Sequence, residues 1–441
     1  MMIAKIIFYI VGIAIIFLWG LFAITSWRER KSRAFFLSLL LAILSYIAWF
    51  NIEEVFLPGP YLYFVPTILF FIVLLLFFLP LGKSRIMNIE PSAERIDERD
   101  TMFAREEYMA GTDKHIQYYQ MHPELKQIDE KMRKLPQLMA PGAKYYDPIR
   151  STYVDAIFKE IRDMTTKVDG PVNPIKTEFS ADEFTKNIKQ VTRHLGAIDV
   201  GIAAVDPRFV YSHVGRGPET WGEPIHISHS SVICFTVEMA YENVEMAPKL
   251  PITEETAKGY FDATVISLAL ARLIRDLGYS ARAHISGSNY QIILPAAAYF
   301  AGLGEIGRHG YLISPTLGPR IRLGAVTTDM PLNLDKPISF GVQDFCDRCK
   351  RCADNCPSAS IPHGQPKSVK GVTKWPLEVE SCIIYWRNIG TDCGLCMRVC
   401  PFSHPPSLIH NLVRQGIKRS SFARALSLRG EDFFYGSRIP Y

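Results

Sequence analysis

Apart from Cys234, the first 345 of the 441 residues contain no cysteine, so thiol chemistry is confined to the far end of the chain. A large basic surplus is also missing. Lys and Arg number 49 against 44 Asp and Glu, a net charge of +5, and no clustered basic and aromatic surface points to nucleic acid. There is no low-complexity tract and no internal repeat beyond two cysteine runs. The first apolar run is too long for a signal peptide and lacks a small-x-small cleavage site, and no twin-arginine motif precedes it. The bulk figures, 48% hydrophobic and 21% charged, average two unlike regions, and the length suggests two or three domains.

Charge is absent from three stretches, residues 6–25, 34–50 and 61–81. Each is near the ~20 residues that a helix needs to cross the hydrocarbon core of a membrane. Trp19, Trp27, Trp49, Tyr61 and Tyr63 lie toward their ends, where amphipathic rings favour the interface. Arg28, Arg30, Lys31 and Arg33 crowd the first link, Lys83 and Arg85 follow the third run, and the second link carries Glu53 and Glu54. Positive-inside bias therefore predicts a multi-pass anchor in the cell (inner) membrane over residues 1–85. Its N-terminus is expected outside, and everything after residue 82 in the cytoplasm. The runs contain no histidine and no C-x-x-C, so the anchor is expected to hold neither haem nor cluster, with lipid as its partner.

Residues 86–170 read as a charged linker and the opening of the soluble part, with helical pieces at 92–110 and 123–134, ended by Pro136, Pro141, Gly142 and Pro148. From 171 to 338 the pattern is α/β. A helix is expected over 182–195, strands over 197–205 and 231–239, and a long helix over 254–277. That helix has Thr253 as N-cap, Glu254 and Glu255 in the first turn, and Gly278 past its end. Its apolar stripe is read as Phe261, Val265, Leu268 and Leu273. Beside it Tyr260 borders a row of small residues, Thr264, Ser267 and Ala271. Such a row allows close helix packing or leaves room for a large ligand, and in a chain with twenty tyrosines packing is the default. Cys234, in a β-branched and aromatic stretch, reads as a buried strand residue.

Residues 301–308, Ala-Gly-Leu-Gly-Glu-Ile-Gly-Arg, contain G-x-G-x-x-G. The dinucleotide fingerprint needs a strand before the glycines and a helix after. Here a helix-like stretch (295–300) precedes and a strand (310–314) follows, which argues against a dinucleotide. The glycines instead let the backbone approach either another element or a flat, bulky cofactor.

The cysteine-rich end, residues 339–410, holds two runs, Cys346-x2-Cys349-x2-Cys352-x3-Cys356-Pro357 and Cys382-x10-Cys393-x2-Cys396-x3-Cys400-Pro401. The first is the bacterial ferredoxin arrangement, in which three cysteines hold one [4Fe-4S] cube and the fourth crosses to another. Structural zinc also takes four cysteines, but this run is too dense for one tetrahedral ion, and disulfides give no reason for two C-P endings. The ferredoxin crossover implies Cys346, Cys349, Cys352 and Cys400 on one cube. It puts Cys356, Cys382, Cys393 and Cys396 on the other, with Cys382 set apart by its long gap. Residues 411–441 form a tail.

The order of these pieces resembles the corrinoid-dependent reductive dehalogenases over about residues 231–401. The carriers are Gly259-Tyr260-Phe261-Asp262-Ala263, residues 273–282 (LIRDLGYSAR), the 301–308 turn, residues 314–320 (SPTLGPR), Thr328-Asp329-Met330-Pro331-Leu332 and both cysteine runs. Epoxyqueuosine reductases share an A-G-L-G-type turn, which continues there as W-I-G-K where this chain has Glu305-Ile306-Gly307-Arg308. The resemblance implies a nitroreductase-like α/β core holding a base-off, cobalamin-type corrinoid over residues 171–338. It also implies a ferredoxin-like domain with two [4Fe-4S] clusters and an organohalide substrate. By position, Tyr260 looks like the proton donor, Arg320 its basic neighbour and Asn289 a nearby polar side chain. A phenol ionises only near pH ~10, so at neutral pH it has a proton to give, and a guanidinium beside it favours the phenolate left behind. Gly302, Gly304, Gly307 and Ser314 are the expected backbone contacts to the macrocycle. No D-x-H-x-x-G signature marks a lower histidine ligand, and the H-x2-H pair His226 and His229 is read as a surface or turn pair. With a fused anchor the electrons can come from a membrane quinol pool or a membrane-bound donor, and equally from a soluble ferredoxin or flavodoxin. A corrinoid reductase of a non-halogenated substrate, or an electron-transfer subunit without corrinoid, are the competing readings.

Overall fold

Three apolar helices open the chain: α1 (Met2–Arg28), α2 (Ser32–Phe50) and α3 (Pro60–Phe78). In the computed structural model, which describes residues 2–51, 60–82, 84–286 and 290–438, these three are long and apolar enough to cross a membrane. Glu53, Glu54 and Lys83, used above to orient the spans, lie outside the described residues. Large side chains such as Ile13, Leu40 and Leu69 are at least half exposed, a surface that suits lipid and not water. Where α1 and α2 meet, Trp49 donates its indole N–H to the Phe8 carbonyl at 2.7 Å. A side chain at Gly12 would collide with the Trp49 ring, so a small residue sets this close approach.

The chain divides into two units, one of Met1–Arg85, Phe340–Cys349 and His404–Pro440, the other of Ile86–Ser339 and Lys350–Ser403. In the second, the segment expected to be helical over 92–110 is mostly irregular, with one 3-10 turn at Glu98–Asp100 and one short helix at Met102–Glu106. Arg95 explains this. Its guanidinium donates to the carbonyls of Val210 (3.1 Å), Tyr211 and Ile225 (2.7 Å), fixing the chain in an extended path. Helix α4 (Pro148–Asp163) follows, capped by the Asp147 carboxylate. Next, α5 (Ala181–His194) opens on a full capping box between Ser180 and Glu183.

The core is a four-stranded antiparallel sheet of β1 (Val200–Ala204), β2 (Ser231–Glu238), β3 (Ala281–His284) and β6 (Ile321–Thr328), in the order β1-β2-β6-β3. Period-2 alternation splits β2 between two layers. Ile233, Phe235 and Val237 face one cluster with Phe184, Ile266, Leu270 and Ile274, while Val232 and Cys234 face the other with Ala297, Tyr299 and Ala325. Cys234, opposite Gly201 and Ala325, is thus a packing residue.

The long helix is α6 (Leu250–Asp276), which begins a turn earlier than its sequence signals suggest, with Pro251 in its first turn and Lys249 as N-cap. Of the expected stripe, Leu268 and Leu273 pack against the core, but they flank the fully buried face. Val265 is 43% exposed, whereas Ala263, Thr264, Ile266, Ser267, Leu270, Ala271 and Ile274 are buried. The small-residue row therefore packs, against the sheet and α4. Gly278, at φ +89°, ends the helix as expected. Helix α7 (Leu294–Phe300) leads into a hairpin of β4 (Glu305–Ile306) and β5 (Leu312–Ile313), so the 301–308 glycines join a helix to a strand. Of the cysteine-rich end, α8 (Val342–Cys349) belongs to the first unit; hairpin β7 (Lys367–Val369) and β8 (Val372–Lys374) and helix α9 (Val379–Ile389) belong to the second. Helices α10 (Leu408–Arg419) and α11 (Ser421–Tyr435) complete the first unit.

Candidate functional site

Tyr260 stands on α6, half-buried, with Phe158 beside it at 5.9 Å between ring centroids. The guanidinium over its ring belongs to Arg322, 5.2 Å from the centroid. Gly259 makes this possible: a Cβ there would lie 2.8 Å from Arg322 Cγ, so the arginine stem runs through the space of a missing side chain. Arg322 sits in β6 opposite Val237 and reaches across α6, donating from Nη2 to Thr256 Oγ1 at 2.6 Å.

Arg320, the residue expected beside Tyr260, is committed elsewhere. It is fully buried, donating from Nε to the Ser403 carbonyl (2.6 Å) and from Nη1 to the Met239 carbonyl (2.6 Å) and Glu238 (3.3 Å). The basic neighbour of Tyr260 is thus two residues further along, inside the strand. Asn289 lies outside the described residues. Tyr290, next in sequence, is a second phenol whose ionisation burial pushes well up, with the Tyr260 charge adding to it.

From Arg322 the polar contacts continue to the cysteine loop. Asp392 receives the Arg322 guanidinium at 3.4 Å, the Thr256 hydroxyl at 2.5 Å and the Thr253 hydroxyl at 2.8 Å. Its own N–H donates back to Thr253 Oγ1 at 3.2 Å. Thr253 is therefore no cap but a ligand for the loop before Cys393. Neither Arg322 nor Asp392 was visible in advance. A guanidinium two residues out in the same strand and an acid abutting a cysteine were the only signals.

Asp392 and Cys393 border a cavity of about 360 Å³ whose wall carries Cys356, Cys382, Cys393 and Cys396. The four cysteines assigned to one cube by the crossover thus line one space, Cys382 among them. Burial pushes the Cys382 thiol up to about 11 and Cys393 up to about 12, and neighbouring cysteines add to both. Thiols whose ionisation is opposed in this way become thiolates only with a positive centre between them. Four cysteines around one cavity fit an iron–sulfur cube. Cys352 and Cys400 lie in the same unit, while Cys346 and Cys349 are on α8 in the other. None of the nine cysteines is in a disulfide.

His309 also lines this cavity. It is fully buried, burial lowers it to about 4, and its Nδ1 accepts from Tyr311 N–H at 3.2 Å.

The glycines of the 301–308 turn are closed off by the chain itself. A Cβ on Gly302 would meet the Lys336 carbonyl at 2.5 Å, one on Gly304 the Ile313 carbonyl, and one on Gly307 the Ile313 and His309 side chains. Ser314 is buried, its hydroxyl accepting from the N–H groups of Thr316 (3.3 Å) and Leu317 (3.0 Å). The close approach that these glycines permit is therefore to another element. Buried N–H and O–H groups with no partner among the described residues include Arg320 Nη2, Arg322 Nε, Thr264 Oγ1 and Ser267 Oγ. An acceptor-rich ligand such as a corrinoid would satisfy donors of this kind. His229, read as a surface or turn residue, instead bridges Thr327 (2.9 Å) and Ser280 (2.8 Å).

Comparison with known proteins places this geometry. The 4Fe-4S dicluster domain family matches residues 345–404. A tetrachloroethene reductive dehalogenase of Desulfitobacterium hafniense is 33% identical over 282 residues, 53% of this chain and 51% of that protein. The chain is a homologue of reductive dehalogenases. It spans about half the length of the curated dehalogenases it matches. An epoxyqueuosine reductase of Staphylococcus aureus is 36% identical over 115 residues, 24% of this chain and 28% of that protein. Among solved structures, the catabolic reductive dehalogenase NpRdhA in complex with 3-bromo-4-hydroxybenzoic acid superposes with a TM-score of 0.67 at 24% identity, covering 81% of this chain and 49% of the other. The dehalogenase homologue thus has the fold of that enzyme.

Proposed function

We propose that this chain is a membrane-anchored reductive dehalogenase, which replaces the halogen of a small organohalide by hydrogen: R–X + 2 e⁻ + H⁺ → R–H + X⁻. The observation that carries the reading is the unbroken path from Tyr260 through Arg322 and Asp392 to Cys393. It joins a proton donor to a cluster loop inside one unit. When bound, a base-off, cobalamin-type corrinoid in a nitroreductase-like core supplies the centre at which the carbon–halogen bond breaks, and two [4Fe-4S] clusters supply its electrons. Cys346, Cys349, Cys352 and Cys400 would hold one cluster, and Cys356, Cys382, Cys393 and Cys396 the other.

The chain's own part is protonation. Tyr260 gives the proton that the carbon needs, and Arg322, over its ring, stabilises the phenolate that remains. Asp392 holds Arg322 in that place. Thr253 and Thr256 fix Asp392 on the helix that carries Tyr260, so donor and loop move as one. A multi-pass inner-membrane anchor with the catalytic unit on the cytoplasmic side makes a membrane quinol or a membrane-bound donor the electron source. A soluble ferredoxin or flavodoxin is the competing source.

The second reading, a corrinoid reductase of a non-halogenated substrate, is favoured by the identity to an epoxyqueuosine reductase. Anaerobic reconstitution with corrinoid and iron, followed by turnover of haloalkenes and haloaromatics, separates the two. Halide release is expected, and it should fall ~10²–10⁴-fold in Tyr260→Phe with the cluster EPR signals unchanged. Full turnover in that variant removes Tyr260 from the mechanism. Two iron–sulfur signals without cobalt retention would leave an electron-transfer subunit.

A further inference from the structure

The unit built on the spans holds a buried polar cluster that the dehalogenation chemistry leaves unused. Glu29 directly follows α1, His404 follows the last cysteine run, His410 lies in the first turn of α10 and Glu431 on α11. Glu29, His404 and His410 are 5%, 8% and 7% exposed. The Glu29 carboxylate is shared, Oε1 standing 2.6 Å from His410 Nε2 and Oε2 3.0 Å from His404 Nδ1. The other nitrogen of His404, Nε2, is 3.4 Å from Glu431. The two imidazoles lie face to face, 4.5 Å between centroids and 13° from parallel. Ser407 caps α10 by accepting from His410 N–H, which fixes where that imidazole stands.

The surroundings are apolar. His410 and Glu431 form part of the wall of a cavity of about 400 Å³ otherwise lined by residues such as Leu18, Phe22, Phe77 and Phe434. Carboxylates in such a setting require a positive partner. With only a proton to serve, burial of His404 is outweighed by Glu431 and Glu29, which hold its pKa up at about 9. Burial of Glu29 is likewise outweighed by both histidines, which lower it to about 2.

We propose that Glu29, His404 and His410 bind one divalent transition cation of the zinc class. Their ligand atoms, one from each residue, all lie within 4.8 Å of one another. Imidazole nitrogen and carboxylate oxygen are the donors such an ion takes when thiolate is absent. The two faces of His404 then have separate tasks. Nδ1 ligates, and Nε2–H donates to Glu431, which fixes the tautomer and the ring plane as outer carboxylates do at metal sites. The cation takes the place of the His404 proton, and its second charge balances the second carboxylate of the cluster, Glu29 and Glu431 together. It would clip the end of the first span to the helices that close the unit, coupling their folding to the metal.

The full chain, purified anaerobically with its iron and cobalt in place, is equilibrated with Zn²⁺, freed of loose metal by gel filtration and assayed for zinc, iron and cobalt. Wild type is expected to retain about one zinc per chain. Glu29→Gln and His410→Ala should retain at least tenfold less, with iron and cobalt unchanged, and Glu431→Gln should bind ~10–100-fold more weakly. Zinc should raise the Tm of wild type and not of Glu29→Gln. Equal zinc in wild type and the two ligand variants, or none in wild type, overturns the site. The iron and cobalt contents report on the dehalogenase reading separately, so either can fail alone.

Discussion

His284, in the sheet unit, and His404, in the unit of the three apolar helices, are both buried, yet their surroundings shift them in opposite directions. Around His284 stand Thr327, at 2.9 Å from Nε2, the Tyr290 carbonyl, and the charges of Arg282 and His229; burial dominates and lowers it to about 3. Around His404 stand two carboxylates, which outweigh burial and raise it to about 9. Burial does not set the charge of a histidine; the groups it is buried with do. In the sheet the ring is a neutral member of a hydrogen-bonded row, and in the other unit it is one of the three proposed cation ligands. The units differ in the same way elsewhere. The sheet closes its apolar residues into two layers, whereas the three long apolar helices leave many of theirs exposed.

The largest effect expected in the sheet unit is from Cys393→Ser. Iron should fall from about eight to about four atoms per chain and halide release should be lost, while zinc in the anchor unit stays. Unchanged iron would detach Cys393 from the cluster. The arginine pair should divide next. Arg322→Gln is expected to lower turnover ~10–100-fold with little change in Tm. Arg320→Gln, which strands the Met239 and Ser403 carbonyls, should cost ~3 kcal/mol of stability. A turnover loss from Arg320→Gln at unchanged stability would return the catalytic role to it. Asp392→Asn should act like a weaker Arg322→Gln, because the guanidinium loses its charge partner but keeps Thr256, and the reading would be a fall in kcat with KM steady.

Per pH unit, the smallest effect is that of acid. The folded pKa of His284 lies below the unfolded value of ~6.5, so between the two the unfolded chain binds more protons. Its contribution is complete above pH ~6.5 and is lost as pH falls toward about 3, by at most ~1.4 kcal/mol per pH unit. Urea unfolding at descending pH should show this slope in wild type and a flatter one in His284→Asn. Equal slopes would assign the acid sensitivity to other groups.

Much of this architecture was legible in the sequence because its signals are local. The cysteine spacings, the three apolar runs, strands 231–239 and 197–205, and the helix after Ser180 each depend on residues a few positions apart. What escaped depends on distance. Arg95 straightens its own segment through carbonyls 115 and 130 residues away. The long helix buries the face that its sheet and α4 select, so Val265 points outward although its apolarity suggests otherwise. Arg320 and Arg322 are indistinguishable by type and near in position, and only the carbonyls of Met239 and Ser403 decide which is spent on structure. Glu29 and His404 are 375 positions apart, and no spacing rule could join them.

Gly259 carries a consequence of its own. The proposed donor pair is shaped by an atom that is not there, so a tight tolerance belongs to a residue with no functional group. Adding one methyl at position 259 would touch neither proton nor metal. It would still lift the guanidinium from the phenol ring, and in assays it would pass for the loss of an acid.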